Sequence, residues 1–163
     1  MQILEFGSVG DCYTINVASH AQTFFVVTGS SSGLGKCFVE AVLASGERVV
    51  ATLRKPEVLA YLKDKYTPEQ LLIQPLDVVN DEQIEAAFAA TKVHFGRLDV
   101  VVNNAGYGLF GEAEGLPLDE ARNQIEVLFW GPVKISLKVD SPLLNLPRPL
   151  MPFNQGRRVL QRE

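Results

Sequence analysis

The chain has 163 residues, 47% of them hydrophobic and 21% charged, which is enough for one domain with a sizeable core. A formal net charge of −4, with no lysine or arginine before Lys36, argues against a polyanion-binding surface and so against nucleic acid as a partner. The first 22 residues lack the regions of a signal peptide, no apolar run is long enough to span a membrane, and Cys12 and Cys37 form no paired-cysteine motif. A cytoplasmic chain with reduced cysteines and no thiolate metal site is expected.

Residues 1–22 show neither a helical nor a strand period and read as an N-terminal extension of uncertain order. Short, mostly apolar runs at 24–27, 48–53, 71–76 and 98–102 then predict four parallel strands covered on both faces. Helical periods lie between them: Leu34, Cys37, Phe38, Ala41, Val42 and Ser45 share one face, as do Ile84, Ala87, Phe88, Thr91 and Phe95. Asn80 and Gln83 have the spacing of a capping box, and Gly46 and Gly96 stand where helices close on a left-handed residue. A further helix from Leu118 is expected to turn Ala121, Ile125, Leu128 and Phe129 inward and to bend at Gly131-Pro132. Alternating strands and helices predict an α/β fold, a Rossmann-like doubly wound parallel sheet over residues 23–139 that is incomplete at its C-terminal side. Prolines at 132, 142, 147, 149 and 152 make residues 140–163 a proline-rich irregular tail, with a short strand at "RRVLQ".

The stretch "FFVVTGSSSGLGK" sets three glycines at the first strand-to-helix junction. Gly29 lets the chain turn off the strand, Gly33 removes a side chain where backbone must approach a pyrophosphate, and Gly35 allows close helix packing. The helix N-terminus adds a positive end, so an anion is held without a nearby cation. A Walker A loop is rejected, because five residues separate Gly29 from Gly35 and cysteine follows Lys36. A merely tight turn is the remaining alternative.

With "LDV" at 76–78 and "NNAGYG" at 103–108, "TGSSSGLG" at 28–35 resembles, in order and spacing, the motifs of short-chain dehydrogenases/reductases, over roughly residues 23–131. The resemblance implies hydride transfer between a nicotinamide dinucleotide and a carbonyl or alcohol. It implies that Thr28, Gly29, Ser31, Gly33, Leu34 and Gly35 surround the pyrophosphate and adjoining ribose. Asp77 would accept from the adenine amino group, Val78 would lie against the ring, and Asn103, Ala105 and Gly106 would end the fourth strand at the ligand edge. For Asp77 the alternative is a solvated carboxylate, and for Asn103 a structural turn amide. In "VVATLRK", Leu53 stands where an NAD enzyme usually offers an acidic residue and Arg54 follows, which favours NADP over NAD; an ordinary solvated Arg54-Lys55 pair is the alternative.

The family's proton donor is a tyrosine in Tyr-x-x-x-Lys, assisted by a serine and an asparagine. The one formal match, Tyr61 to Lys65, lies between the second and third strands and reads as a decoy, an amphipathic helix with Leu59 and Leu62 inward. Leu128 stands where family members carry the relay asparagine, and "QGRRVLQ" looks like entry into a fifth strand shortly before the sequence ends. No catalytic residue is therefore assigned. Three readings follow: an NADP-dependent oxidoreductase represented by an impaired chain, a non-catalytic dinucleotide-binding or interaction protein, or a truncated product without stable function. A homo-oligomer is left open, the family's later interface helix being absent from the sequence.

Overall fold

A computed structural model describes residues 4–9, 12–17 and 22–139. Two strands, β1 (Leu4–Val9) and β2 (Cys12–Val17), pair antiparallel with Leu4 opposite Val17 and Phe6 opposite Ile15. The apolar pairs thus fall at alternate positions of the register. The alternation is short and Gly7 interrupts it, so residues 1–22 carry no evident period although two strands form there.

Four parallel strands make the main sheet: β3 (Phe24–Thr28), β4 (Arg48–Leu53), β5 (Leu71–Pro75) and β6 (Val100–Val102), in the order β5-β4-β3-β6. The chain steps outward from β3 to β5 and then crosses to the other side of β3, so the order reverses between β3 and β6. Ligands of open α/β sheets bind at such a switch point, beyond the strands' carboxyl ends. Every residue of β3 is buried, as its continuous apolar run requires of a central parallel strand.

Alternate residues of the strands feed two cores. Phe25, Val27, Val49 and Ala51 pack with Val39, Val42 and Leu43 of helix α1 (Gly33–Ala44) and with Leu59 and Leu62 of a 3-10 helix (Pro56–Asp64). Val26 and Val50 pack on the opposite face with Ile84, Ala87 and Phe88 of α2 (Asp81–Phe95) and with Ile135 and Val139 of α4 (Gly131–Val139). Helices therefore cover both faces, as the doubly wound prediction demands.

The buried face of α1 is centred on Gly35, Val39, Val42 and Leu43, one residue out of phase with the expected stripe, and Leu34 is 70% exposed. The stripe chosen from the sequence starts at Leu34, which faces the cavity described below instead of the core. In α2 the expected face is buried, and Asn80 caps its N-terminus by accepting from the Gln83 backbone N–H at 2.9 Å. The reciprocal arm of the capping box does not form: Gln83 Oε1 accepts from the backbone N–H of Asp77 at 2.7 Å. Gly46 and Gly96 close α1 and α2 at φ of 81° and 66°.

The helix from Leu118 departs more from expectation. It runs as α3 (Leu118–Ile125), one wide π turn (Glu126–Trp130) and α4, with Gly131 itself helical. The wide turn closes with the Gly131 N–H donating to the Glu126 carbonyl and leads into α4 with Pro132 at its second position, so the helix continues where a bend was expected. Ile125, Leu128 and Phe129 are exposed, not inward, and the buried side carries Gly131, Ile135 and Val139. Helical period locates the apolar face but does not say which face the sheet covers. Lys134 pairs with Asp81 at 2.9 Å and Lys138 with Glu85, clipping α4 onto α2. Among the described residues β6 ends the sheet, and no helix is long and apolar enough to cross a membrane. The tail at 140–163 and its expected strand lie outside the described residues.

Candidate dinucleotide site

A cavity of about 620 Å³ opens across the carboxyl ends of the sheet, within the range typical of small-molecule sites. The loop between β3 and α1 supplies its centre through Gly29, Ser31, Ser32, Gly33, Leu34 and Gly35. Each glycine has its own geometric cause. Gly29 has φ of +67°, and a Cβ there would sit 2.7 Å from Ala105 Cα. Gly35 is pressed so closely that a Cβ would meet Asn104 Nδ2 at 2.3 Å and the Gly29 carbonyl oxygen at 2.5 Å. Its packing partners are Gly29, just past the end of β3, and Asn104 in the loop after β6. Gly33 has φ of +55° with nothing within 4 Å of where a Cβ would stand, so its backbone borders open cavity. Ser32 caps α1 without a side-chain bond, and no acidic residue occupies the helix's first turn. The amide-rich end of α1 therefore meets the cavity with no built-in anion, which fits a bound phosphate.

On the β4–β5 side the cavity is lined by Leu53 and Arg54, then by Leu76, Asp77, Val78 and Val79. Arg54 is exposed and reaches the cavity, whereas Lys55 is not part of its lining. Asp77 is held in a tight turn: its Oδ1 accepts from the Val79 N–H at 3.2 Å while its own N–H is taken by Gln83. Val78 is buried beneath Gly131, whose missing side chain lets the helix approach to a would-be Cβ distance of 2.9 Å.

On the β6 side two of the expected residues, Thr28 and Asn103, lie outside the cavity lining. Thr28 is buried and does not line the cavity; its hydroxyl accepts from the backbone N–H groups of Asn104 and Ala105, both at 3.0 Å, and lies 3.3 Å from the Val102 carbonyl it donates to. It ties the loop after β6 to the end of β3, a role one step removed from ligand contact. Asn103 is exposed and outside the lining, because β6 ends at Val102 and the chain turns so that Asn104 takes the inward position. Asn104 Nδ2 donates to the carbonyls of Thr28 at 2.9 Å and Gly29 at 3.2 Å, clasping the glycine loop. Ala105 and Gly106 line the cavity as expected, joined by Tyr107, Asn123 and Val127, which sequence reasoning missed. Asn123 and Val127 come from a helix 16 or more residues away along the chain, where no local motif marks them. Leu128 lies over Gly106, its Cδ2 2.6 Å from where a Cβ would stand, so a hydrocarbon fills the neighbourhood expected to carry the relay asparagine.

Tyr61 is elsewhere. It belongs to the 3-10 helix, where Leu59 and Leu62 are buried as expected, and its hydroxyl donates to Glu40 Oε1 at 2.6 Å. Burial and the adjacent Glu40 carboxylate push its pKa up to about 12, opposite to what a proton donor working near neutrality needs. Among the described residues no cluster of histidine, cysteine and carboxylate side chains could hold a metal ion.

Known proteins share this fold. The family model of the short chain dehydrogenases matches residues 23–145. An uncharacterized oxidoreductase, C162.03, of Schizosaccharomyces pombe is 40% identical over 136 residues, 83% of this chain and 42% of that protein. An NADPH-dependent 3-dehydrocapnine reductase of Ornithobacterium rhinotracheale is 34% identical over 71% of this chain and 41% of its own. The solved structure of a short-chain dehydrogenase from Streptomyces avermitilis superposes with a TM-score of 0.70 at 34% identity, covering 77% of this chain and 45% of that one. The chain thus spans less than half the length of these relatives, and it belongs to the short-chain dehydrogenase family.

Proposed function

We propose that residues 23–139 form a dinucleotide-binding unit that holds NADP(H) across the strand ends, serving hydride transfer between NADPH and a carbonyl or alcohol. The observation that carries this reading is one cavity that gathers the glycine loop, Arg54, Asp77, Val78, Ala105 and Gly106 around an open helix N-terminus. When bound, the nicotinamide ring supplies or accepts the hydride. The chain's own residues bind and orient. Backbone at Gly33 and the first turn of α1 face the pyrophosphate; Asp77, fixed by its turn, accepts from the adenine amino group; and Arg54 pairs with the 2′-phosphate. Asn104 and Thr28 hold the two loops in register from behind.

Preference for NADP rests on Arg54 at the end of β4, where no acidic residue is available to a ribose diol. A charged hydrogen bond there is worth about 1.5–3 kcal/mol, so NADPH should bind roughly 10- to 150-fold tighter than NADH. Calorimetric titration of the wild type and Arg54→Ala checks this: the variant is expected to bind both cofactors alike. A preference that survives the substitution would remove Arg54 from the site.

A second reading, binding without turnover, is favoured by Leu128 lying over Gly106 and by the remote placement of Tyr61. In that reading the 163 residues by themselves hold the dinucleotide but lack a proton donor beside it.

A further inference from the structure

We propose that the Tyr107 hydroxyl, positioned by Asn123, donates a hydrogen bond to the nicotinamide half of the dinucleotide and so acts as a binding determinant at the β6 end of the cavity; this rests on the cofactor reading above. The direction of the ligand follows from connectivity. A pyrophosphate lies midway along a dinucleotide, so an adenosine half on the Arg54 and Asp77 side leaves the other nucleoside to extend from the glycine loop toward β6. The polar side chains lining that end are Asn104, Tyr107 and Asn123. The Asn104 amide nitrogen is committed to the carbonyls of Thr28 and Gly29.

Tyr107 is held differently. Asn123 Nδ2 donates to its hydroxyl oxygen at 2.9 Å, and Gln124 Nε2 donates to its backbone carbonyl at 3.1 Å. In the first bond the phenol is acceptor, which leaves its own hydrogen to be donated elsewhere. Two consecutive residues of α3 thus fix a tyrosine that is still 40% exposed. Such tethering costs side-chain freedom at a solvated position and contributes little core stability. Its physical gain is a donor already aimed when a ligand arrives, so that less order must be imposed on binding. Ribose hydroxyls and the carboxamide oxygen of the nicotinamide half are acceptors of the required kind.

Titration of the full 163-residue chain with NADPH and with adenosine 2′,5′-bisphosphate, which has no nicotinamide half, tests this. Tyr107→Phe keeps the ring and removes the donor; it is expected to weaken NADPH about fivefold, the equivalent of one ordinary hydrogen bond, and to leave the bisphosphate unchanged. Asn123→Leu should weaken NADPH selectively in the wild-type background and add nothing on Tyr107→Phe, because a positioning residue acts only through the phenol it holds. Loss of affinity for both ligands alike, no loss for NADPH, or additive effects of the two substitutions would overturn the proposal. If the wild type fails to bind the bisphosphate, the cofactor reading itself falls, and this inference with it.

Discussion

Purified chain 1–163 is expected to oxidise NADPH no faster than background in the presence of ketones, aldehydes or quinones. A positioned general acid contributes about 10²–10⁴-fold to such a reaction. The one Tyr-x-x-x-Lys among these residues begins at Tyr61, which points at Glu40 with its pKa pushed up to about 12 and does not line the cavity. Catalytic groups act as a unit, so losses at the tyrosine, serine and asparagine positions are not multiplied; most of the rate disappears with the first. Replacing Leu128, which lies over Gly106, by asparagine is accordingly expected to recover nothing by itself. What is expected to remain is orientation of the dinucleotide, without a proton delivered to the developing alkoxide. Turnover at a family-typical rate that Tyr61→Phe abolishes would contradict both the placement of Tyr61 and the account of the site.

A pair of glycine substitutions should separate binding from folding. Gly33→Val puts a branched side chain into open cavity, at a backbone with φ of +55°. The left-handed conformation costs about 1–2 kcal/mol of stability, while the side chain occupies the pyrophosphate's place and is expected to lower NADPH affinity more than about 100-fold, nearly 3 kcal/mol. Gly35→Ala does the reverse. Its methyl would stand 2.5 Å from the Gly29 carbonyl and 2.3 Å from Asn104 Nδ2, so a backbone must shift and the Asn104 clasp is lost. Overpacking of about 1–3 kcal/mol and two hydrogen bonds of about 1 kcal/mol each predict a loss of roughly 3–5 kcal/mol in denaturant unfolding. A folded Gly33→Val protein with unchanged affinity would refute the cradle, and a Gly35→Ala protein as stable as the wild type would refute the packing argument.

Much of the sheet and the glycine loop could be read from local pattern. Buried parallel strands are continuous apolar runs, and the glycines of the first junction answer to positive φ at Gly29 and Gly33 and to the close approach of the Asn104–Ala105 loop at Gly29 and Gly35. Arg54 and Asp77 could be located for a related reason, since Arg54 directly follows β4 and Asp77 stands two residues beyond β5, at strand ends that face the ligand edge. What escaped depends on distance along the chain. Tyr107 and Asn123 meet through a loop without period, and Asn104 takes the inward place expected of Asn103 because of where β6 ends. The exposed Ile125, Leu128 and Phe129 show another limit: an apolar stripe is written in the sequence, but its covering partner is not. Thr28 was placed beside the ligand by resemblance, while its hydroxyl is spent on the amides of Asn104 and Ala105.

The central claim, that a dinucleotide lies across the strand ends from Arg54 to Tyr107, is tested most directly by amide chemical-shift mapping of the labelled chain titrated with NADPH. The account predicts saturable shifts at Gly29, Ser31 to Gly35, Arg54, Asp77 to Val79 and Ala105 to Tyr107, with Tyr61, Lys63 and Lys65 unmoved. Shifts centred on the 3-10 helix around Tyr61, or the absence of saturation at Gly33 and Asp77, would contradict it.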